Sequence, residues 1–337
     1  MIAPSIFDTL VTVFGGSGFV GRHLVRALAR RGYRIRVAVR RPELAGHLQP
    51  LGTVGQIHAV QANLRHRGSV IAAVRDSSIV INLAGILFER SRQRFHAIHA
   101  EGAETVARAA AHFGARMIHM SAIGADNNSP SLYAQTKFIG EGAVLAATPT
   151  ATIFRPSVMF GPEDDFFNRF AALARMSPAL PLLGGGKTRF QPVFVGDVAE
   201  AIAKIAAGET SPGAGGATPV TGEAKPGAIY ELGGPEVLTF RDILEYILTT
   251  IERRRLLIPI PFWAARLPAA LLQFLPKPLL TPDQIELLKS DNVVSAQAIA
   301  EGRTLEGLGI SPRAIETIVP TYLWRFRRTG QFRNRAA

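Results

Sequence analysis

Three side chains near the middle of the chain have the types and spacing needed to move a proton onto or off a carbonyl or alcohol oxygen. Ser121 directly follows an apolar run, and Tyr133 and Lys137 are four residues apart, which places both on one face of a helix. A protonated lysine near a phenol lowers the phenol's pKa towards neutrality, so Tyr133 is the candidate proton donor or acceptor. The Ser121 hydroxyl would orient the same substrate oxygen. We therefore predict Ser121, Tyr133 and Lys137 as the catalytic residues.

A glycine-rich segment near the start of the chain has the pattern of a dinucleotide-binding turn. Its glycines fall between a predicted strand and a predicted helix. The first permits a tight turn, the second lets backbone N–H groups approach a pyrophosphate, and the third allows close helix–strand packing. The helix N-terminus then presents unpaired N–H groups to the phosphates. The predicted cofactor contacts in this segment are Gly15, Ser17, Gly18, Phe19, Val20 and Gly21.

The residues after the second predicted strand indicate which dinucleotide binds. NAD-binding proteins usually carry Asp or Glu there to bond the adenosine ribose, whereas this chain has Arg40 and Arg41. Two guanidinium groups suit a 2′-phosphate through charge and forked hydrogen bonds. Arg22, Arg26 and Arg30 form one stripe of the preceding helix and are interpreted as solvated surface residues. The sequence therefore favours NADPH (or NADP) over NAD.

Short apolar runs alternate with amphipathic segments through the first half of the chain. This alternation predicts an α/β fold with a doubly wound parallel sheet, the Rossmann-type arrangement that would position the turn and the catalytic residues. The predicted strands are Leu10–Phe14, Ile35–Val39, Ile57–Val60, Ile79–Leu83, Met117–Met120 and Ala151–Phe154. The clearest predicted helices are Phe19–Arg30, Phe95–Phe113 and Leu132–Ala147.

The regular alternation of strands and helices changes after Phe160, and we predict a domain boundary there. Residues 8–160 would form the dinucleotide-binding Rossmann domain, and most of residues 161–337 a smaller mixed substrate or docking region. Within the second part, residues 189–207 are predicted to return to the Rossmann core. Residues 208–227, rich in Gly, Pro, Thr and Ala, are predicted to form a mobile surface loop.

Four elements are predicted in the second half of the chain. Asp165–Arg175 and Pro312–Arg327 have helical patterns, and Arg189–Val195 has the pattern of a strand. A further helix is predicted at Asp197–Ala207, with Asp197 as its N-cap.

Composition limits the classes of partner and site. The chain has 337 residues, no cysteine and a net charge of +12. The lack of cysteine excludes a disulfide scaffold and a thiolate metal site, and the histidines lack ligand spacing, so we predict no metal. The positive charge favours an anionic partner. Without a zinc finger, an RNA-recognition motif or a basic zipper region, nucleic acid is not expected.

An apolar stretch at residues 256–280 is the candidate for membrane contact. Crossing a bilayer takes ~20 uninterrupted apolar residues, and five prolines and Arg266 interrupt this stretch. A short amphipathic helix around Phe262–Phe274 would lie in the interface of an anionic membrane, with Arg253–Arg255 and Lys277 meeting headgroups. The basic C-terminal tail would dock onto the same anionic surface. The alternative is that this helix caps the substrate region as part of its core. No signal-peptide pattern is visible, so the expected location is the cytoplasm, peripheral on the inner face of the cytoplasmic membrane.

These motifs resemble the short-chain dehydrogenase/reductase superfamily, in its extended and atypical branches, over residues 10–162. The segments that carry the resemblance are the glycine turn, Asn82-Leu83-Ala84-Gly85, Ser121, Tyr133-x-x-x-Lys137 and Arg155-Pro156-Ser157-Val158-Met159-Phe160-Gly161-Pro162. One departure is His99, which stands where many members have an asparagine of the proton relay. That departure puts the usual relay in question.

The resemblance also implies the remaining cofactor contacts. They are Asn63 and Leu64 at the adenine, Leu83, Ala84 and Gly85 along the cofactor, Tyr133 and Lys137 at the nicotinamide ribose, and Pro156, Ser157 and Val158 beside the nicotinamide.

Three further segments, at residues 160–170, 191–198 and 280–284, indicate one particular family within this superfamily. They resemble the NADPH-binding accessory subunit family of respiratory complex I (NADH:ubiquinone oxidoreductase, alpha-subcomplex subunit nine) and its bacterial relatives. The resemblance implies tight NADPH binding and a position where complex I meets the membrane, near quinone entry. Close relatives are linked to ubiquinone biosynthesis.

Three functions follow as hypotheses. The first is a membrane-peripheral, NADP(H)-binding subunit with a structural or assembly role, in contact with complex I subunits. The second is an active NADP-dependent oxidoreductase on a lipophilic carbonyl or alcohol, such as a quinone precursor, because Ser121, Tyr133 and Lys137 are all present. The third, a sugar-nucleotide epimerase or dehydratase, is disfavoured because the second half of the chain shows no distinct nucleotide-diphosphate site.

Overall fold

The structure, a computed structural model, describes residues 8–209, 227–273, 275, 278, 280–328 and 330. The chain forms two compact units, each assembled from separate stretches of sequence. Unit 1 comprises the described parts of Met1–Pro156, Gly196–Leu232 and Ala296–Ser311, and unit 2 those of Ser157–Val195, Gly233–Ser295 and Pro312–Ala337. The loop predicted at residues 208–227 lies almost entirely outside the described residues, so it stays a prediction.

The elements are as follows in chain order. The strands are β1 Leu10–Phe14, β2 Arg34–Val39, β3 Ile57–Gln61, β4 Ile79–Asn82, β5 Arg116–Met120, β6 Thr152–Pro156, β7 Met159–Phe160, β8 Ala179–Leu183, β9 Arg189–Phe190, β10 Val193–Phe194, β11 Ile229–Leu232, β12 Leu238–Thr239 and β13 Leu256–Ile260. The α-helices are α1 Phe19–Arg30, α2 Arg67–Val74, α3 Glu101–His112, α4 Leu132–Ala147, α5 Phe167–Met176, α6 Val195–Ala207, α7 Phe240–Thr250, α8 Phe262–Leu272, α9 Pro282–Leu287, α10 Ala296–Ala300, α11 Ile315–Ile318 and α12 Pro320–Leu323. A π-helix spans His96–Ala100, and 3₁₀ helices span Pro42–Leu51, Gly184–Gly186, Glu306–Leu308 and Trp324–Phe326.

Unit 1 contains a seven-stranded sheet in the order β11-β6-β5-β4-β1-β2-β3. Each neighbouring pair is parallel, and the central strands are buried, which explains their nearly continuous apolar sequences. The chain order reverses between β1 and β4, so their carboxyl ends border the crevice in which doubly wound sheets bind ligands. The prediction of a doubly wound α/β fold is confirmed.

Helices α3 and α4 pack closely because small residues line their contact. Ala103 and Ala107 of α3 are fully buried and belong to one apolar cluster with Val144 of α4. A Cβ on Gly140 of α4 would collide with the carbonyl oxygen of His99. The absence of a side chain at Gly140 therefore brings α4, which carries Tyr133 and Lys137, against the π-helix.

Two predicted elements, one in each unit, differ in detail from the structure. The helix predicted at Phe95–Phe113 begins as the π-helix and continues as α3. The strand predicted at Arg189–Val195 is divided into β9 and β10, because Pro192 has no N–H to continue a ladder and the N–H of Gln191 bonds to Asn292.

Two helix boundaries in the second half of the chain were also predicted wrongly. Helix α6 begins at Val195, so Asp197 lies inside its first turn and is not the N-cap. The helix predicted at Pro312–Arg327 is α11, α12 and a 3₁₀ turn. Pro320 begins α12 and lacks the N–H that would extend the hydrogen bonds of α11.

Among its described residues, unit 2 has three two-stranded pairings, of β10 with β7, β12 with β9 and β13 with β8. Its core includes a cluster of phenylalanine rings at Phe166, Phe170 and Phe240. The buried carboxylate of Asp164 accepts a hydrogen bond of 2.7 Å from the Tyr322 hydroxyl. No helix in the described part of the chain is long and apolar enough to cross a membrane.

Candidate functional site

The glycine turn joins the carboxyl end of β1 to α1. Gly15 has φ +77°, and a Cβ there would lie 3.2 Å from the main chain of Leu83 and Ala84. A Cβ on Gly21 would collide with the main chain of Gly15 and Gly16. The turn can therefore lie between α1 and the segment after β4 only because these positions lack side chains.

The N-terminus of α1 is open to an anion. Gly18 is the N-cap, no side chain caps the helix, and its first turn has no acidic residue. The first N–H groups and the helix dipole are therefore available to a phosphate. The side chain of Val20 is buried, so only its backbone can serve a ligand. Ser17 is half-buried and Phe19 is half-buried in the same segment.

Arg40 and Arg41 lie where the sequence predicted the ribose contact. They directly follow β2, whose carboxyl end adjoins the turn through a hydrogen bond from Gly15 N to Ala38 O of 3.3 Å. Both side chains are exposed, and no carboxylate in the described residues forms an ion pair with either. Their charge is therefore available to an anionic ligand.

The segment after β3 is held by its own hydrogen bonds. The Asn63 side-chain oxygen accepts from the N–H of Arg65 at 3.2 Å, and the N–H of Asn63 donates to the Ser69 hydroxyl at 3.0 Å. The side chain of Asn63 thus shapes the loop, and Leu64 is half-buried beside it. The predicted adenine contacts of these two residues remain predictions.

The three predicted catalytic residues meet at the carboxyl end of β5. Ser131 caps α4 by accepting from the N–H of Ala134, which starts the helix just before Tyr133. The Lys137 Nζ donates to the carbonyl oxygen of Met120 at 3.1 Å and lies 5.9 Å from the Tyr133 ring centroid. Because Met120 immediately precedes Ser121, the lysine lies beside the serine.

The Ser121 hydroxyl is buried, and its Oγ has no hydrogen-bond partner within the described part of the chain. A buried hydroxyl without a partner costs about 1–3 kcal/mol. Such a group at the mouth of a dinucleotide crevice is suited to bind a ligand oxygen.

The charge of Lys137 is adjusted by its surroundings. Burial lowers its pKa to about 8, and the charge of Glu141, one turn further along α4, opposes that shift. Glu141 is itself bound by Arg155 through two hydrogen bonds of 2.8 and 2.6 Å. Lys137 therefore loses its proton more readily than an exposed lysine does.

His99 is fixed as a neutral ring. Its Nε2 accepts from the N–H of Ile86 at 3.1 Å, so its Nδ1 carries the proton and donates to the Thr136 hydroxyl at 3.2 Å. Burial, followed by the charge of Lys137, lowers its pKa to about 2. The ring packs edge-on against Tyr133 with centroids 5.2 Å apart. His99 therefore supports Tyr133 and the loop after β4, but it does not change its charge near neutral pH.

A second buried histidine, His119 on β5, was not predicted from the sequence. The Asn82 oxygen accepts from the N–H of Ala84 at 3.1 Å, so its amide nitrogen faces Nδ1 of His119 at 3.3 Å. Complete burial and the charge of Lys137 lower the pKa of His119 to about 3. Side chains two residues apart on a strand share a face, so β5 puts His119 and Ser121 on the same face of the sheet. This spacing could have identified His119 as a neighbour of the site from the sequence alone.

Two predicted nicotinamide contacts, Ser157 and Val158, belong to unit 2. There the Ser157 hydroxyl donates to Asn292 Oδ1 at 2.7 Å, and the N–H of Val158 donates to the same oxygen at 2.9 Å. Pro156, at the end of β6, belongs to unit 1, where its carbonyl accepts from Ile123. The described residues contain no group of three or more His, Asp or Glu side chains placed to hold a metal.

Unit 1 therefore has the parts that a dinucleotide needs. The glycine turn would admit the pyrophosphate, and Lys137 lies beside Gly85, where a Cβ would be 3.5 Å from the lysine Nζ. A sequence profile decides the family, since residues 11–215 match the NAD dependent epimerase/dehydratase family. The chain belongs to that family.

Similarity to individual proteins extends over nearly the whole length of the chain. NADH dehydrogenase (ubiquinone) 1 alpha subcomplex subunit 9 of Arabidopsis thaliana is 34% identical over 97% of this chain and 80% of the relative. The NADH-ubiquinone oxidoreductase 40 kDa subunit of Neurospora crassa is 30% identical over 95% of this chain and 80% of the relative. A ceramide reductase of Caulobacter vibrioides is 37% identical over 52% of this chain and 54% of the relative.

Solved structures confirm the fold. A dTDP-glucose 4,6-dehydratase from Streptomyces venezuelae with NAD bound has a TM-score of 0.66 at 17% identity and covers 95% of this chain and 98% of its own. An NADPH-dependent quinone oxidoreductase from Escherichia coli, complexed with NADPH, has a TM-score of 0.68 at 16% identity, covering 93% and 99%. These epimerase/dehydratase and reductase folds show that the chain has the nucleotide-binding Rossmann fold.

Proposed function

We propose that this member of the NAD dependent epimerase/dehydratase family is an NADP(H)-binding accessory subunit of a complex I, held at the membrane surface, with a structural or assembly role. The observation that carries the proposal is the 34% identity to a complex I subunit over 97% of the chain, because it includes unit 2 as well as the Rossmann sheet. A nucleotide bound only by the folded chain stabilises that fold by mass action. The cofactor would thus serve folding and docking, in contact with neighbouring subunits.

NADP(H) is favoured over NAD(H) by the two exposed arginines after β2. A 2′-phosphate there would meet two guanidinium groups without a competing carboxylate among the described residues. Charge-assisted hydrogen bonds to phosphate are about twice as strong as neutral ones.

Removing both arginines tests the cofactor preference. We expect Arg40→Ser/Arg41→Ser to weaken NADPH binding about tenfold or more, while NADH binding changes little, since NADH has no 2′-phosphate. Fluorescence titration of each nucleotide measures this, with Arg26→Ser/Arg30→Ser on the outer stripe of α1 as the matched control. An equal loss for both nucleotides, or none for NADPH, contradicts the preference.

The membrane-peripheral position is supported by the outer face of α8. Trp263, Leu267 and Leu271 recur every four residues and are 79%, 75% and 70% exposed. This spacing places them on one side of the helix. An apolar stripe of this kind on a basic protein fits the interface of an anionic membrane.

An active NADP-dependent oxidoreductase is the second candidate. It is favoured by the unpartnered buried hydroxyl of Ser121 and by Lys137, whose pKa burial lowers to about 8. A bound NADPH would supply a hydride, and Tyr133 and Ser121 would bind and protonate the accepting oxygen. The partial similarity to a ceramide reductase suggests a lipophilic substrate, and a quinone precursor is another substrate of that class.

One experiment separates the two candidates. The nucleotide that co-purifies with the protein is identified, and its oxidation is then followed with and without quinones and membrane extract. A structural role predicts NADPH that stays reduced and leaves only on unfolding. Oxidation that is lost in Tyr133→Phe but kept in Tyr246→Phe overturns the structural role and makes the protein an enzyme.

A further inference from the structure

Four arginines of unit 2 form a cluster of like charge. Arg175 lies in the last turn of α5. Arg253 and Arg255 lie between α7 and β13, and Arg328 follows the 3₁₀ turn near the end of the described chain. The pKa of Arg253 is lowered by burial and by the positive charges of Arg255, Arg328 and Arg175. The Arg175 guanidinium lies 6.0 Å from the ring centroid of Phe326, whose carbonyl oxygen accepts from Arg253. Arg253 is therefore surrounded by like charges.

The cluster is held together by main-chain carbonyl groups. The Nε of Arg253 donates to Phe326 O at 3.0 Å, and the Nε of Arg255 donates to Ala174 O at 2.7 Å. Arg255 Nη1 also donates to Arg254 O at 3.0 Å. The remaining terminal nitrogens of Arg253 and Arg255 are left for other partners. The positions of the charges are thus set by the backbone.

The cluster lacks internal counterions. Within the stretches that the structure describes, no carboxylate forms an ion pair with Arg175, Arg253, Arg255 or Arg328. The nearby Glu252 lies 3.5 Å from Arg327. Arginine binds phosphate with forked, charge-assisted hydrogen bonds, so an anionic phosphate would relieve the repulsion.

Exposed apolar side chains directly follow two of the arginines. Met176, next to Arg175, is 79% exposed, and Leu256, next to Arg255, is 71% exposed. The N–H of Leu256 bonds to Pro178 O at 3.2 Å, which joins the two segments at the start of the β8–β13 pair. A free phosphate makes no use of exposed apolar neighbours, whereas a bilayer presents phosphates immediately above its acyl chains.

We propose that Arg175, Arg253, Arg255 and Arg328 bind the phosphate of an anionic phospholipid, while Met176 and Leu256 enter the apolar boundary beneath it. This inference rests on the membrane-peripheral position proposed above and assigns it a specific headgroup site. The exposed apolar residues of α8 would contact the acyl chains, and the arginine cluster would favour anionic lipids over neutral ones.

The test is co-sedimentation of the full chain, loaded with NADPH, with vesicles of phosphatidylglycerol and phosphatidylcholine or of phosphatidylcholine alone. Arg175→Gln/Arg328→Gln removes two charges and keeps the main-chain hydrogen bonds of Arg253 and Arg255. We expect it to bind the anionic vesicles about tenfold or more weakly. Arg26→Gln/Arg30→Gln, which removes the same charge from α1, should bind within about twofold of the parent protein. Unfolding curves of both variants check that the fold is kept.

Different outcomes separate the two proposals. Equal losses in both double variants, or no loss in the cluster variant, overturn the headgroup site while leaving the membrane position intact. Displacement by millimolar inorganic phosphate at constant ionic strength also overturns it, since the ligand would then be a free anion. If the parent protein binds no anionic vesicles at all, the membrane-peripheral position itself fails.

Discussion

An Arg155→Met variant is expected to lose about 3–5 kcal/mol of its free energy of unfolding, because the substitution leaves a charged carboxylate buried without a partner. Arg155 on β6 binds both oxygens of Glu141 on α4 and lies 3.7 Å from Glu231 on β11. Both ends of the Arg155–Glu141 pair are largely buried. The hydrogen bond to Glu141 is also the main reason that the pKa of Arg155 is raised.

Urea denaturation of the variant measures this loss, which is then compared with the losses in two control variants. Arg108→Met breaks the exposed Glu104–Arg108 pair on α3 and should cost no more than about 1 kcal/mol. Arg155→Met/Glu141→Leu removes both charges and should recover part of the stability, because no buried carboxylate remains unpaired at Glu141. An Arg155→Met variant no less stable than Arg108→Met would contradict a stabilising role for the buried pair.

Mild acid is expected to destabilise the fold through two histidines. Burial lowers the pKa of His99 to about 2 and of His119 to about 3, from an ordinary 6.5. Below pH 6.5 the unfolded chain takes up a proton at each histidine and the folded chain does not, so stability is lost as the pH falls from 6.5 towards those values. Each histidine should contribute about 2 kcal/mol of loss by pH 5, and the two together about 4 kcal/mol.

The pH dependence is measured by urea denaturation at pH 7 and pH 5. In His119→Gln the loss between these values should be smaller by about 2 kcal/mol than in the parent protein, whatever the substitution costs at pH 7. His47→Gln, at an exposed position, should retain the full loss. A His119→Gln variant with an undiminished loss would mean that His119 accepts its proton within the folded chain.

The sequence was sufficient where a role depends on local pattern. Helices α1 and α4 were predicted with their observed bounds, since apolar periodicity and the flanking turns specify them locally. The position of Ser121 at the end of β5 followed from the same alternation. The glycine turn was predictable because the need for small residues there is a property of the turn itself.

The remaining features depend on contacts between distant residues. The tautomer of His99 is set by Ile86 and Thr136, and neither partner can be found from spacing. The π-helix lies so close to α4 that a Cβ on Gly140 would collide with the His99 carbonyl oxygen, and this contact joins residues that are distant in the sequence. The ion pair between Glu141 and Arg155 likewise forms only when β6 and α4 pack together, so the sequence alone does not reveal it.

The order of the strands has a consequence for how the protein is made on the ribosome. Strand β6 is completed at Pro156, but its outer neighbour β11 begins at Ile229, about 70 residues later. At synthesis rates of about 5–20 residues per second, the edge of β6 stays unpaired for roughly 4–15 seconds. Arg303, which binds the main chain of Ile229 and Glu231, emerges later still. The nascent chain thus presents an open apolar strand edge, a site for wrong pairing, until β11 has been synthesised.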